Sequence, residues 1–302
     1  MRLPLRAQLV LITAVPIAAL AITTLWTVNH TINERVQKSI RDDLRRSSVV
    51  FESMLASRAR TLEIETQIIA QDPRFFSVLT LPGSPTDPQI QATVAGVARD
   101  FNTIAGADLF EVLNPEGHVL ASVGRETLTD ASALSLAREA LRGRPQSGVA
   151  TEGGAHYQAS ATPVLAGGRV VGALLLGSRI GSELADRLRS FTRSEVTFFS
   201  GSAATVSTLE ETGDRAALIA AVPRLLDGSS NTAGAPTILN VRTANDVYLT
   251  LVRPLPMSAR GSQQSYVMQR SLSDETAFLH DIQGVLLALV FIALAAGSWP
   301  AG

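Results

Sequence analysis

Four histidines, His30, His118, His156 and His280, are the chain's whole imidazole supply. A metal centre or a histidine general base would have to be drawn from them. No pair shows H-x-x-x-H or a related ligand spacing, so no metal site is predicted. The chain has no cysteine, which removes disulfides, thiolate ligands and thiol nucleophiles together. A hydrolase nucleophile elbow needs G-x-S-x-G, but Gly177-Ser178-Arg179-Ile180-Gly181 carries its serine one position early. The glycine-rich run Gly167-Gly168-Arg169-Val170-Val171-Gly172 has the spacing of neither a dinucleotide fingerprint nor a P-loop. No catalytic residue and no cofactor are predicted.

What remains is chemistry for holding a small molecule rather than transforming it. Ser122, His156, Tyr157, Ser160 and Thr162 supply hydrogen bonds, Phe110 an aromatic face, and Arg142, Arg144 and Arg179 guanidinium forks for a carboxylate. Each has a plainer use. Phe110 and Tyr157 suit a packed core, His156, Ser160 and Thr162 a solvated sheet face, and Arg142 and Arg144 the C-terminal end of a helix. With 26 basic and 27 acidic residues, the charge balance excludes a nucleic-acid surface, which requires clustered Lys and Arg.

These residues sit on a repeated pattern of short strands. "ADLFEVLNPEGHVLASVG" reads as a hairpin about Asn-Pro-Glu-Gly, "DASALSLAREALRGRP" as a helix stopped by Gly and Pro, and the run to Ile180 as three strands split at Gly153-Gly154 and Gly167-Gly168. After a helix over 181–192 the order restarts: a strand pair about Ser200-Gly201-Ser202, a helix over 215–228 interrupted at Pro223, and three strands. The penultimate strand of each half repeats one spacing, Tyr157 to Pro163 and Tyr248 to Pro254. In "AHYQASATPVL" alternation puts Tyr157, Ala159, Ala161 and Pro163 on one face and His156, Gln158, Ser160 and Thr162 on the other.

Before the strands, residues 29–71 contain neither Gly nor Pro. Ile32, Val36, Ile40, Leu44, Phe51, Leu55, Leu62 and Ile69 recur at steps of four and seven, the stripe of one long helix ended by Asp72-Pro73. Leu44, Phe51, Leu55, Leu62 and Ile69 are expected to face a second copy of the helix or the sheets. A short helix over 89–104 follows the proline-rich break at 81–88.

Both ends are apolar. Residues 9–28 carry no charge, follow Arg2 and Arg6, and contain Trp26 as an interfacial anchor, so they predict a membrane-spanning helix. The alternative is a cleaved leader with a small-x-small site at Ala19-Leu20-Ala21. Residues 282–299 predict a second span near the lower length limit, with a buried terminal helix as its alternative. Arg35, Lys38, Arg41, Arg45 and Arg46 lie just past the first span and count against a cytoplasmic N-terminus. Long domains translocate largely regardless of charge, so both ends are placed on the cytoplasmic side.

Span, long helix, two serial sheet modules and span resemble the extracytoplasmic double Cache (PAS-like) input region of bacterial sensor proteins, in particular the double sensory domain of two-component sensor kinases. "ASATPVLAGGRVVGALLLGSRIGSELADRL", "VTFFSGSAATVSTL" and "YLTLVRPLPMSARGSQQSYVMQRSLSDE" carry the likeness. It implies an α+β chain with these parts: N-terminus and first span 1–28, stalk helix 29–72, membrane-distal module 73–192, membrane-proximal module 193–274, second span and end 275–302. It further implies a two-pass inner-membrane receptor with a periplasmic input region, parallel homodimerisation along the first helix, and a small organic ligand in the distal module. Phe110, Ser122, Arg142, His156, Tyr157, Ser160, Thr162 and Arg179 are its expected ligand-binding residues. The second module's pocket, about Ser207, Thr208 and Arg253, is expected to be smaller or filled. No phosphoacceptor helix, ATP site or cyclase motif occurs before Gly302, so the signalling output is expected beyond it or on another chain. A membrane-anchored partner-binding or structural protein, and a membrane-anchored enzyme, are the competing expectations.

Overall fold

The computed structural model describes residues 5–82, 86–124, 131–210, 213–229, 237–244, 246–257 and 264–277; the side chains of 5–22, 24–33, 131–132, 223–229 and 237 lie outside the description. Among the described residues no helix is long and apolar enough to cross a membrane. The span expected at 9–28 falls on helical backbone whose side chains, Thr23 apart, are not described, and the one expected at 282–299 lies outside the described residues.

Helix α1 runs from Leu5–Gln71 without a break. The sequence places a stop at Asp72-Pro73, and the structure uses the pair to restart. Asp72 caps a helix that sequence periodicity missed, α2 (Pro73–Leu79), accepting the Arg74 N–H at 2.8 Å, with Pro73 in the first turn. Asp87-Pro88 repeats the device at α3 (Pro88–Ala105), where Asp87 accepts from Gln89 N at 2.8 Å. Proline suits this position because its missing N–H would be unpaired there anyway and its φ is already helical.

Ten strands form two separate antiparallel sheets. The first holds β1 (Leu109–Leu113), β2 (Val119–Gly124), β3 (Gln146–Glu152), β4 (Ala155–Ala166) and β5 (Arg169–Ile180), in the order β2-β1-β5-β4-β3. The second holds β6 (Glu195–Ser200), β7 (Ala203–Ser207), β8 (Thr237–Arg242), β9 (Val247–Pro254) and β10 (Gln264–Ser271), in the order β7-β6-β10-β9-β8. The two orders are the same, so the repeat seen in the sequence is a repeat of topology. Helices α4 (Ala131–Leu141) and α6 (Gly213–Ser229) each bridge the second and third strands of their sheet, and α5 (Ser182–Thr192) joins the sheets. Gly167 and Gly168, at φ +55° and +79°, turn β4 into β5, an arrangement open to glycine and costly for other residues.

One stripe of α1 serves both sheets in succession. Ile40, Leu44, Phe51 and Leu55 pack with Phe198, Leu249, Leu251, Tyr266 and Met268 of the second sheet, together with Leu184 and Leu188 of α5. About two to four turns further on, Leu62, Ile69 and Ala70 pack with Phe110, Val112, Val164, Leu174 and Leu176 of the first. Leu44, Phe51, Leu55, Leu62 and Ile69 are therefore all buried inside the chain's own cores. These five pack on the sheets and are not available to a second copy. The physical reason is that an amphipathic helix has one strongly apolar stripe, and two sheets in series consume its length.

Candidate functional site

Alternation along β4 divides the predicted site residues between opposite faces of the first sheet. Tyr157, Ala159 and Ala161 face α4, where they meet Ala133, Ala137 and Ala140 of that helix and Leu109, Leu113, Ala150, Ala173 and Leu175 of neighbouring strands. Glu111 stands between Leu109 and Leu113 on the same face, fully buried, and its Oε1 accepts from Ser122 Oγ at 2.7 Å. The two residues are direct cross-strand partners, which is why so short a contact forms without distortion. Ser122, Tyr157 and Glu111 thus share the α4-covered face, a floor built largely of alanine and leucine with a carboxylate set into it. Sequence reasoning passed over Glu111, although an acid inside the apolar run "LFEVL" was the signal.

The other face looks at α1. Phe110 packs edge-on to Phe75, with ring centroids 6.3 Å apart. Gln158 Nε2 donates to the Leu55 carbonyl at 2.6 Å, Ser160 Oγ lies 3.3 Å from Ser147 Oγ, and Thr162 is buried beside them. Arg142 is elsewhere, exposed at the end of α4 and ion-paired with Glu139, which also holds Arg144.

His156, fully buried, sits where β4 meets the second sheet. Its Nδ1 lies 3.1 Å from Thr205 Oγ1 on β7, and its Nε2 has no hydrogen-bond partner among the described residues. Burial lowers the imidazole from its ordinary 6.5 to about 4, opposed only weakly by the Phe199 main chain, so the ring is neutral at physiological pH. Two further bonds cross the same joint: Val149 N–H to the Met257 carbonyl at 3.2 Å, and Gln264 Nε2 to Thr151 Oγ1 at 3.1 Å.

Arg179 opens onto a cleft of about 590 Å³ at that joint, lined also by Arg58 of α1, Asp108, Ser178, the start of α5 with Arg187, and Val206 of β7. Arg58 Nη2 donates to Ser178 Oγ at 2.6 Å, Asp108 Oδ2 accepts from the Arg179 main-chain N–H at 2.8 Å, and Arg187 pairs with Glu183 at 2.9 Å. Among the described residues, no group of three or more metal-ligating side chains converges anywhere.

In the second module the tie to α1 is polar as well as apolar. Glu52 Oε1 accepts from Tyr266 OH and from Arg253 Nη1, each at 2.8 Å. Burial first, and the Glu52 carboxylate second, push the Tyr266 hydroxyl far above its usual range, which keeps it a neutral donor. Arg253 is thus engaged with α1, while Ser207 and Thr208 bond within β6–β7, to Thr197 at 2.8 Å and to Glu195 at 2.6 Å.

Three solved structures are similar to the chain at low identity. The sensory domain of the Campylobacter jejuni chemoreceptor Tlp3 with isoleucine bound is 11% identical, with 80% of this chain and 96% of that one covered and a TM-score of 0.47. The Vibrio cholerae histidine kinase DctB sensor domain is 12% identical, with 78% and 98% covered and a TM-score of 0.49. The periplasmic domain of Vibrio cholerae LuxQ is 16% identical, with 75% and 98% covered and a TM-score of 0.45. No curated protein matches the sequence. The family described as the double sensory domain of two-component sensor kinase matches residues 37–278, which take in both sheets and the part of α1 that packs on them. The chain belongs to that family of double sensory domains.

Proposed function

We propose that this chain is the extracytoplasmic input region of a two-pass inner-membrane receptor, binding a small organic ligand on the α4-covered face of its first module and passing a conformational shift along α1. The observation that carries this reading is the division of labour on α1. Continuing from the uncharged stretch 9–28, the helix packs first on the second sheet, through Ile40 to Leu55, and then on the first, through Leu62 to Ala70. With 9–28 in the bilayer, the first module is the membrane-distal one and α1 connects it mechanically to the membrane. A ligand shifts such a system only by binding its two states unequally. Coupling of about 1–3 kcal/mol between sites is enough.

The ligand face is assigned to Glu111, Ser122 and Tyr157 because polar groups set in an otherwise apolar floor fix the orientation of a bound molecule. The α1-facing set, Phe110, His156, Ser160 and Thr162, belongs in this reading to the coupling surface. The test is a thermal-shift screen of the full chain in detergent micelles against amino acids, carboxylates and other small metabolites, repeated with Glu111→Gln. A compound that raises melting in the parent and loses its effect in the variant is the expected result. If no compound raises melting, the small-molecule reading fails.

A further inference from the structure

We propose that the cleft between the two sheets, where Arg58, Arg179 and Arg187 converge, is a second binding site, for a small oxyanion such as phosphate, sulfate or a short carboxylate. It is separate from the α4-covered face, and the proposal stands whether or not that face binds a ligand.

The argument begins with Arg58. It projects from α1 into the joint, is half-buried, and among the described residues has only the neutral Ser178 hydroxyl as its hydrogen-bond partner, at 2.6 Å. No carboxylate among the described residues lies within ion-pair distance of it. A guanidinium withdrawn from water without a counter-charge is costly, and structures normally pair it. The cost is visible in its protonation equilibrium: burial first, and the Arg187 charge second, lower Arg58 from the ordinary arginine value, with Asp108 and Glu183 opposing more weakly.

The acids nearby are already engaged. Glu183 pairs with Arg187, and Asp108 takes the Arg179 main-chain N–H. Arg179 has no ion pair of its own among the described residues, and its stem runs past Gly181, with Cδ 3.6 Å from where a Cβ would stand. The cleft therefore sets the three guanidiniums of Arg58, Arg179 and Arg187 against the two carboxylates of Asp108 and Glu183, a surplus of one positive charge, around about 590 Å³ of space, more than a phosphate needs. Planar forks of this kind match carboxylate and phosphate oxygens two at a time.

The walls come from five places that must keep their relative positions: α1 (Arg58), the segment before β1 (Gly106, Asp108), β5 (Ser178, Arg179), α5 (Glu183, Arg187) and β7 (Val206). An anion bridging the arginines would fasten the first module to the stalk beside the helix that leads to the second. Such an occupant favours whichever arrangement of the modules brings the guanidiniums together.

The test uses the full chain, with inorganic phosphate, sulfate and malonate titrated separately at constant ionic strength against chloride, read by isothermal titration calorimetry and by melting temperature. The parent is expected to bind at least one of the three with one-site stoichiometry. Arg58→Gln and Arg187→Gln should each weaken that binding at least tenfold, while Arg169→Gln, an exposed arginine at the β4–β5 turn, leaves it unchanged. Arg187→Gln, a surface change, carries the test if Arg58→Gln does not fold. No binding of any of the three anions by the parent overturns the proposal. So does equal binding by the parent and the Arg187→Gln variant.

Discussion

His156 on β4 and Thr205 on β7 meet across the joint of the two modules, imidazole Nδ1 to hydroxyl at 3.1 Å, and the opposite ring nitrogen is buried with no hydrogen-bond partner among the described residues. Either tautomer of a neutral ring satisfies this contact, because the hydroxyl can donate or accept. A second proton would have to be placed in the core at the point where the modules touch.

The pH dependence follows from that placement. The folded-state value of His156, about 4, lies below the ordinary 6.5. The unfolded chain therefore takes the proton first, and the contribution of this group is complete above pH 6.5 and lost as pH falls toward 4. The full loss is on the order of 3 kcal/mol, at about 1.4 kcal/mol per pH unit. Urea unfolding midpoints of the parent should fall between pH 7 and pH 4.5, and by less in His156→Gln. Equal falls in the two proteins would show that His156 is not the group responsible.

The stripe of α1 that the sequence offers as a dimer seam is occupied by the chain's own sheets, and a different face is left open. Val50, Ile64 and Ile68 are 55%, 51% and 64% exposed, whereas Phe51 is wholly buried. If α1 pairs with a second copy, as the resemblance to sensor input regions implies, this outer face is the one left for the seam. Phe51→Ala should destabilise the fold by about 3–5 kcal/mol through the cavity it leaves. Ile64→Lys should alter monomer stability by no more than about 0.5 kcal/mol. It should nevertheless move the sedimentation equilibrium from dimer to monomer, and a dimer undisturbed by Ile64→Lys would place the seam elsewhere.

Glu52 ties α1 to the second sheet by accepting from both Tyr266 and Arg253. Removing the acceptor strands a buried hydroxyl, so Glu52→Ala should cost about 1–3 kcal/mol. Tyr266→Phe combined with Glu52→Ala should cost less than the sum of the single changes, with a coupling of about 0.5–3 kcal/mol in chemical denaturation. Additive costs would mean that the bond contributes nothing to holding the helix on the sheet.

Much of the architecture was legible because strands and helices announce themselves by local chemistry. Period-two alternation, the Gly-Gly turns and the four- and seven-residue steps of α1 are properties of neighbouring residues, and they predicted two serial α+β sheet modules on one long helix. The short helix α2 escaped because seven residues hold too few turns to show a period, although Asp72-Pro73 marked its start. The site was less legible. Alternation correctly separated Tyr157 from His156, Ser160 and Thr162, but it could not say which face α1 would cover and which α4. That choice depends on where a helix distant in sequence comes to lie, as the bond from Gln158 to the Leu55 carbonyl shows. The same holds for Arg58, brought to Ser178 and Arg179 from the middle of a helix whose local sequence gives no hint of a cleft. The sequence by itself determined the elements, their order and their repeat. Only the tertiary structure decided which polar groups lie together, because burial and charge pairing are set by packing between segments and not by spacing within them.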